Sequence, residues 1–217
     1  MGGNIIHNGS GSLEMVRSEV TLGYAQYGAG IYSTAYTDLT NVTISYNDAS
    51  VSGGGIYVTD GDFILLHTTI ADNEAESGAG IYSDIFDMGD PLLVKGSIIA
   101  RNRTPGGILA NCVGGGDAHI ASSGYNLTDG SFCSAPMTGD LAHTDARLGA
   151  YGEHGSANTT YTYALQYGSP AIDAADPSMG PAEDQRGISR PQPVGGVRDI
   201  GAYESNVNWW FLPLISK

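Results

Sequence analysis

Apolar and polar residues alternate in short segments that recur along the first half of the chain. A phrase of the form Gly-x-Gly-Ile-Tyr occurs at residues 28–32, 53–57 and 78–82, with a period of 25 residues. A period of roughly 20 to 50 residues is typical of a solenoid, in which each unit buries its apolar face only by stacking on copies of itself. The pattern therefore predicts a stacked-repeat fold.

A second alternating phrase precedes each glycine phrase. It occurs at residues 42–47, 68–73 and 97–102, and we place residues 20–25 in the same frame. We interpret Gly106-Gly107-Ile108 as a degenerate fourth copy of the glycine phrase. Both phrases are rich in β-branched residues and tyrosine and are bounded by turn-forming residues, which predicts short strands. No segment has a helical period, and 32 glycines disfavour long helices.

Coils of 22 to 29 residues with several short strands and no helix predict an all-β, single-stranded parallel β-helix. In such a solenoid, strands of successive coils pair about 4.8 Å apart, so equivalent side chains lie directly above one another. We therefore expect two interior columns of apolar residues. The first contains Ile31, Ile56 and Ile81, and the second contains Leu22, Ile44, Ile70 and Ile99.

The same register predicts a column of asparagines. Asn47, Asn73 and Asn102 recur at one turn, where asparagine tolerates left-handed geometry and its side chain can hydrogen-bond to the next coil. We interpret this column as structural.

Tyrosines form a further predicted column on the outside. Because neighbouring residues alternate across a strand, an inward isoleucine places Tyr32, Tyr57 and Tyr82 outward as a surface aromatic ladder. Such a ladder is a self-stabilising stack, a contact for another protein or a platform for sugar rings.

Acidic residues cluster after the tyrosine strands. Stacked carboxylates repel one another, so these turns are either solvated or bridged by a hard cation such as calcium. The weak candidate ligands are Asp60, Asp62, Asp87 and Asp90. The glycine–aspartate nonapeptide of calcium-binding β-rolls and the EF-hand motif are both absent. We therefore predict no required metal or cofactor, with calcium as the alternative.

The charge of the chain restricts its partners. With 9 basic and 23 acidic residues, the formal net charge is −14, which disfavours binding to nucleic acid and to anionic membranes. The remaining predicted partners are further copies of the chain, a cell surface or a glycan.

The two cysteines, Cys112 and Cys133, predict a disulfide. A zinc site would need two more ligands, and no histidine lies at a metal-finger spacing from them. A disulfide across the 20 intervening residues would contribute about 3 kcal/mol in the chain-entropy model. It would also place the protein in an oxidising compartment. The chain opens Met1-Gly2-Gly3-Asn4 without a charged and apolar leader, and we expect it to begin inside the solenoid.

From Cys112 onward the repeat fades and a different set of phrases follows. In order, they are Asn111-Cys112, Ser123-Gly-Tyr-Asn-Leu127, Cys133, Gly168-Ser-Pro-Ala-Ile-Asp173, Asp184-Gln-Arg-Gly187, Arg190-Pro191 and Asp199-Ile-Gly-Ala-Tyr-Glu204. This series resembles the C-terminal half of the choice-of-anchor Q proteins, which are secreted or surface-anchored bacterial proteins. The resemblance implies a right-handed parallel β-helix and an extracellular or cell-surface location, and it assigns no catalytic residue.

These observations divide the chain into three parts. Residues 1–111 are predicted to form β-helix coils, residues 112–206 further coils and an irregular, disulfide-bonded cap, and residues 207–217 an apolar tail strand. An arginine fork can lock irregular turns through bidentate bonds to carboxylates. The cap residues predicted to pair in this way are Asp184, Arg186, Arg190, Arg198 and Asp199.

Parallel β-helices also carry polysaccharide lyases and hydrolases, so catalysis has to be considered. The fold alone does not imply it, and the sequence phrases of either chemistry are missing here. We predict a protein without catalytic activity, with a carbohydrate-active enzyme as the less favoured interpretation.

The apolar tail is the strongest remaining signal. At nine residues, the segment 207–215 is too short to span a bilayer. As an apolar strand it would pair with the open N-terminal coil of a neighbouring copy. Such a head-to-tail contact does not close, so it grows into a filament. The predicted assembly residues are Trp209, Trp210, Phe211, Leu212, Leu214 and Ile215. The sequence thus predicts an extracellular structural protein that assembles into filaments, and the alternative is a surface adhesin that binds carbohydrate through the tyrosine ladder.

Overall fold

The computed structural model describes residues 2–85, 91–114, 120–132, 134–155 and 159–206. Within these ranges the chain forms β-strands and no helix, and the strands wind into a parallel β-solenoid of about four turns. The predicted all-β solenoid is therefore confirmed.

Four parallel sheets form the sides of the solenoid. Sheet A contains β1 (Ile5–His7), β5 (Ile31–Ser33), β9 (Ile56–Val58), β13 (Ile81–Ser83) and β16 (Cys112–Gly114). Sheet B contains β2 (Leu13–Val16), β6 (Thr37–Thr40), β10 (Phe63–Leu66), β14 (Leu92–Lys95) and β17 (Ile120–Ser122). Sheet C contains β3 (Glu19–Thr21), β7 (Thr43–Ser45), β11 (Thr69–Ala71), β15 (Ile98–Ala100) and β18 (Leu127–Thr128). In the described part of the chain, sheet D contains three strands, β4 (Tyr24–Tyr27), β8 (Asp48–Ser52) and β12 (Glu74–Ser77).

The first interior column follows the predicted register. Ile31 pairs with Ile56 and Ile56 pairs with Ile81, and all three side chains are fully buried. Ile5 precedes them and Cys112 follows them in the same register. Burial of each isoleucine contributes roughly 1.5 to 3 kcal/mol, so this column is a main source of stability.

The second column requires a correction at Leu22. Val20, not Leu22, pairs with Ile44, whereas Leu22 is 78% exposed with φ of 61°. Leu22 occupies the left-handed turn position that Tyr46 and Asp72 take in the next two coils. A shift of two residues preserves the inward–outward alternation, so the hydrophobic pattern alone could not detect the error.

The glycine phrases serve two different purposes. Gly53 has φ of 66° and turns the chain, a conformation that glycine adopts without steric cost. Gly55 has no positive φ, but a Cβ atom there would lie 2.5 Å from the backbone oxygen of Gly80. The second glycine of the phrase is therefore required by the close approach of the next coil.

The predicted fourth copy of the glycine phrase is wrong. Residues 106–108 lie in an exposed turn closed by an antiparallel bridge between Arg103 and Leu109, and Ile108 is 70% exposed. Cys112 instead takes the register position of the isoleucines.

After Thr128 the chain leaves the regular coil. Leu141 bridges to Leu127 at the end of sheet C, and the short antiparallel pair β19 (Leu148–Gly152) and β20 (Thr162–Leu165) packs beside the solenoid. Tyr163 and Ile200 form a second apolar core with Ala71 and Ile98 on the outer side of sheet C. No helix in the described part of the chain has the length and apolar character that a membrane span requires.

Residues 183–206, which we call the strap, run along the side of the solenoid instead of capping its end. At the first coil Arg17 forms an ion pair with Glu183, and at the second Asn41 donates its side-chain amide to the Glu183 carbonyl at 2.7 Å. At the fourth coil the N–H of Gly201 donates to the Gly96 carbonyl at 2.8 Å. The sequence predicted that this segment forms a cap at the end of the solenoid. That position was wrong, because the strap contacts successive coils along the side of the solenoid.

Candidate functional site

The predicted asparagine column is a continuous buried ladder. Asn47 donates its Nδ2 to Oδ1 of Asn73 at 2.9 Å, and Asn73 donates to Oδ1 of Asn102 at the same distance. Each side chain is at most 2% exposed. Asn73 Nδ2 also donates to the Ile44 carbonyl, and Asn73 Oδ1 accepts the backbone N–H of Asn47. The amide groups are thus fully used in joining coils.

The ladder extends beyond the predicted residues. Asn102 Nδ2 donates to Oδ1 of Asn111 at 3.1 Å, and Asn111 donates to Asp129 at 2.6 Å. Asn111 follows Asn102 by only nine residues, so the regular period could not reveal it. The signal that was available is its place at the start of the C-terminal phrases.

The three tyrosines of the ladder stack on one another. The ring centroids of Tyr32 and Tyr57 are 5.6 Å apart with planes 6° from parallel, and those of Tyr57 and Tyr82 are 5.1 Å apart at 1°. Tyr27 adds an edge-to-face contact to Tyr57. Both faces of the Tyr57 ring are therefore occupied by other tyrosines. A sugar ring would need a free aromatic face, which Tyr57 does not offer, so the contacts of Tyr57 favour the self-stabilising stack.

Burial of the Tyr57 phenol, with the neighbouring Asp84 carboxylate, raises its pKa to about 12. The hydroxyl donates to Asp84 Oδ2 at 3.4 Å. Tyr57 therefore stays neutral at physiological pH and offers no general base.

Two buried arginine–carboxylate pairs hold the strap. Arg186 donates through Nε and Nη2 to Oδ2 of Asp184 at 2.9 and 2.6 Å. Arg190 pairs with Glu204 at 3.2 Å and donates to the carbonyls of Asp199 and Gly201. Charges removed from water need such partners, so these pairs fix the irregular turns of the strap.

Two predicted members of this cluster have other partners. Arg198 forms no ion pair within the described ranges, and its Nε donates to the Pro181 carbonyl at 3.3 Å. The Asp199 carboxylate accepts the backbone N–H groups of Asp173 and Ser205, at 2.8 and 2.5 Å, and bonds to no arginine among the described residues. The prediction that Arg198 and Asp199 form cap ion pairs was therefore wrong.

Sequence reasoning also missed Glu204 and His67. Glu204 ends the Asp199-to-Glu204 phrase but was not assigned to a pair, and His67 lies at a turn of the third coil, 3.3 Å from an Arg190 Nη atom. Burial and the arginine charge lower the pKa of His67 well below its usual value. Burial and the nearby Glu204 raise the pKa of Asp199 to about 7.

A second polar cluster joins β20 to the solenoid. Asp72 accepts a hydrogen bond from Arg101 and another from the Tyr163 hydroxyl, both at 2.6 Å. Burial, with the Asp72 carboxylate, raises the Tyr163 pKa. The repeat marks only part of this cluster, because Asp72 and Arg101 occupy the same position of the phrases at 68–73 and 97–102, whereas Tyr163 belongs to no repeat.

Several predicted residues lie outside the described ranges. They are Cys133, Asp87, Asp90, Trp209, Trp210, Phe211, Leu212, Leu214 and Ile215. The Cys112–Cys133 disulfide therefore stays a prediction. Asp60 Oδ1 accepts the N–H of Gly61, and the described residues contain no group of three or more His, Cys, Asp or Glu arranged for a metal ion.

In the described residues, the asparagine ladder and the buried arginine–carboxylate pairs are held by hydrogen bonds within the protein. Comparisons with family models, with curated proteins and with solved structures find no match to this chain.

Proposed function

We propose that the protein is a structural β-solenoid of the cell exterior or cell surface, without catalytic activity. The observation that carries this proposal is the buried asparagine ladder, in which the recurrent polar side chains bond to one another. Glycosidases need two carboxylates free to meet a substrate. The carboxylates of Asp184 and Glu204 are instead buried against arginines.

Sequence features support the location and the coil sense. The formal charge of −14, the predicted disulfide and the ordered phrases from Asn111 to Glu204 are all consistent with a choice-of-anchor Q protein outside the cell. The right-handed sense implied by that resemblance is part of the proposal.

We assign the role of assembly contact to the apolar segment 207–215. Within the described ranges, β1, β2, β3 and β4 each lie at an edge of their sheet. Interior residues there are less covered than their counterparts in the next coil, since Ile5 and Met15 are half-buried whereas Ile31 and Leu39 are fully buried. An apolar strand from another copy would pair with this edge and cover these side chains. Repeated head to tail, the contact does not close and grows a filament.

Sedimentation velocity of the purified chain tests this assembly. The full chain should sediment as a distribution of large species, and removal of residues 207–217 should leave monomers. Removal of Ser216 and Lys217 alone, which keeps the apolar segment, is the matched control and should still assemble. Trp210→Ser should weaken assembly with an unchanged far-UV circular dichroism spectrum. Assembly that persists without residues 207–217, or a full chain that stays monomeric, would reject the contact.

A further inference from the structure

Sheet D is shorter than the other three sheets. It has three strands where sheets A, B and C have five, because the fourth coil does not continue past Arg103 as a strand. Residues 103–109 instead fold back as a turn, and Ala110 donates its N–H to the Asn102 carbonyl at 2.8 Å. The chain thereby reaches Asn111 without covering the end of β12.

A groove of about 470 Å³ occupies this position. Its volume lies within the range of small-molecule sites, which is roughly 300 to 1,000 Å³. Glu76 and Gly78, at the end of β12, line the groove together with Ser131 and His143. Leu109 adds an apolar side chain to the lining.

The backbone N–H of Gly78 differs from those of the equivalent glycines, Gly28 and Gly53, which donate to the next coil. The N–H of Gly28 donates to the Ser52 carbonyl and that of Gly53 to the Ser77 carbonyl, each at 3.1 Å. In the described part of the chain, no backbone carbonyl accepts from the N–H of Gly78 at the corresponding position. Gly78 is itself buried and lines the groove, so its N–H is the backbone donor that a ligand reaching the end of β12 would use.

The side chains that line the groove provide further hydrogen-bonding groups, some of which only accept and some of which both donate and accept. Glu76 is exposed and forms no ion pair with the described residues. Ser131 Oγ lies 3.4 Å from His143 Nε2, and both side chains are exposed. The Asp129 carboxylate is already used, since it accepts from Asn111 and from the N–H of Arg101.

We propose that this groove binds a neutral saccharide unit. A sugar hydroxyl both donates and accepts, which matches Glu76, the N–H of Gly78 and the Ser131–His143 pair, and its apolar face matches Leu109. An anionic ligand is disfavoured by Glu76 and by the net charge of −14. A long peptide strand is disfavoured because Ala75 and Gly80, on either side, already donate to Arg103 and Ala110. The site is separate from the tyrosine ladder and adds a binding activity to the proposed structural role.

The test is a titration of the ¹⁵N-labelled full chain, followed by two-dimensional amide spectra. The probes are glucose, galactose, mannose, N-acetylglucosamine and their β-linked disaccharides, with trialanine as the peptide probe. At least one saccharide should shift the Gly78 amide resonance in a saturable way. Glu76→Gln should weaken that affinity roughly tenfold through loss of a charged hydrogen bond.

Glu74→Gln is the matched control, because Glu74 is an exposed residue of the same strand that does not line the groove. It should change the affinity less than about twofold. Ser131→Ala provides a second variant at an exposed position and should also weaken binding. The proposal is overturned if no saccharide shifts the Gly78 resonance, if Glu76→Gln binds as well as the unchanged chain, or if only trialanine binds.

Discussion

Asn73 and Asn102 lie one coil apart and are joined by a 2.9 Å hydrogen bond between their fully buried side chains. The bond repeats the one between Asn47 and Asn73, so each asparagine both donates and accepts along the solenoid. A buried amide left without partners costs far more than an exposed one. The ladder therefore makes correct stacking of the coils a condition of stability.

Asn73→Ala should destabilise the protein by about 3 kcal/mol, because it removes the side-chain acceptor of the buried Asn47 backbone N–H and the side-chain donor to the Ile44 carbonyl. Urea denaturation monitored by circular dichroism measures the change. Asn8→Ala, at an exposed asparagine, is the control and should have an effect below about 0.5 kcal/mol. Equal effects of the two substitutions would contradict the ladder.

Val20→Ala should cost about 2 kcal/mol, because Val20 is 4% exposed in the interior column. Leu22→Ala should be nearly neutral, since Leu22 is 78% exposed. The midpoints of thermal unfolding compare the two variants. A larger loss for Leu22→Ala would restore the register predicted from the sequence.

Tyr57→Ala should destabilise the protein by about 2 kcal/mol beyond its lost buried area, because it removes two stacked contacts and one edge-to-face contact. Tyr24→Ala is the matched control at a tyrosine that is 74% exposed. Chemical denaturation of both variants gives the difference. If Tyr57→Ala is no more destabilising than Tyr24→Ala, the stack contributes nothing to stability.

The 25-residue period of the glycine phrase was sufficient to predict the isoleucine and tyrosine columns, and the second phrase, whose asparagines are 26 and 29 residues apart, predicted three members of the ladder. Each is a local consequence of strands that pair in register, so identical phrases have identical surroundings. Leu22 was misplaced because a two-residue shift leaves the alternation unchanged. The left-handed turn conformation of Leu22 cannot be recognised from the pattern of apolar and polar residues.

The partners of the strap could not be predicted in the same way. His67 and Arg190 are 123 residues apart and belong to no repeat, so nothing in the spacing links them. The arginines and carboxylates of the C-terminal phrases indicated ion pairs. Which carboxylate pairs with which arginine depends on which carboxylates already accept backbone N–H groups, and the sequence does not show this. Asp199 accepts backbone N–H groups for this reason, while Glu204 takes the arginine.

Asp199 should make the stability of the strap depend on pH. Its pKa in the folded protein is about 7, above the unfolded value, because of burial and the Glu204 charge. The folded state therefore binds the proton more tightly, and the contribution of Asp199 to stability rises as the pH falls from about 7 toward the unfolded value. The lowered pKa of His67 acts in the opposite direction, since the unfolded chain takes up that proton first.

Comparison of the unchanged chain with Asp199→Asn separates the two contributions, because His67 is common to both. The free energy of unfolding of the unchanged chain, relative to that of the variant, should increase as the pH is lowered from 8 to 5. Urea denaturation at several pH values measures it. A difference that is constant over this range, or that decreases as the pH falls, would contradict the assignment.

Negative-stain electron microscopy of the full chain tests the central claim, that this solenoid is a structural subunit that assembles through its C-terminal apolar segment. The account predicts unbranched filaments about one solenoid wide, and isolated particles after residues 207–217 are removed. Isolated particles of the full chain at the same concentration would contradict it.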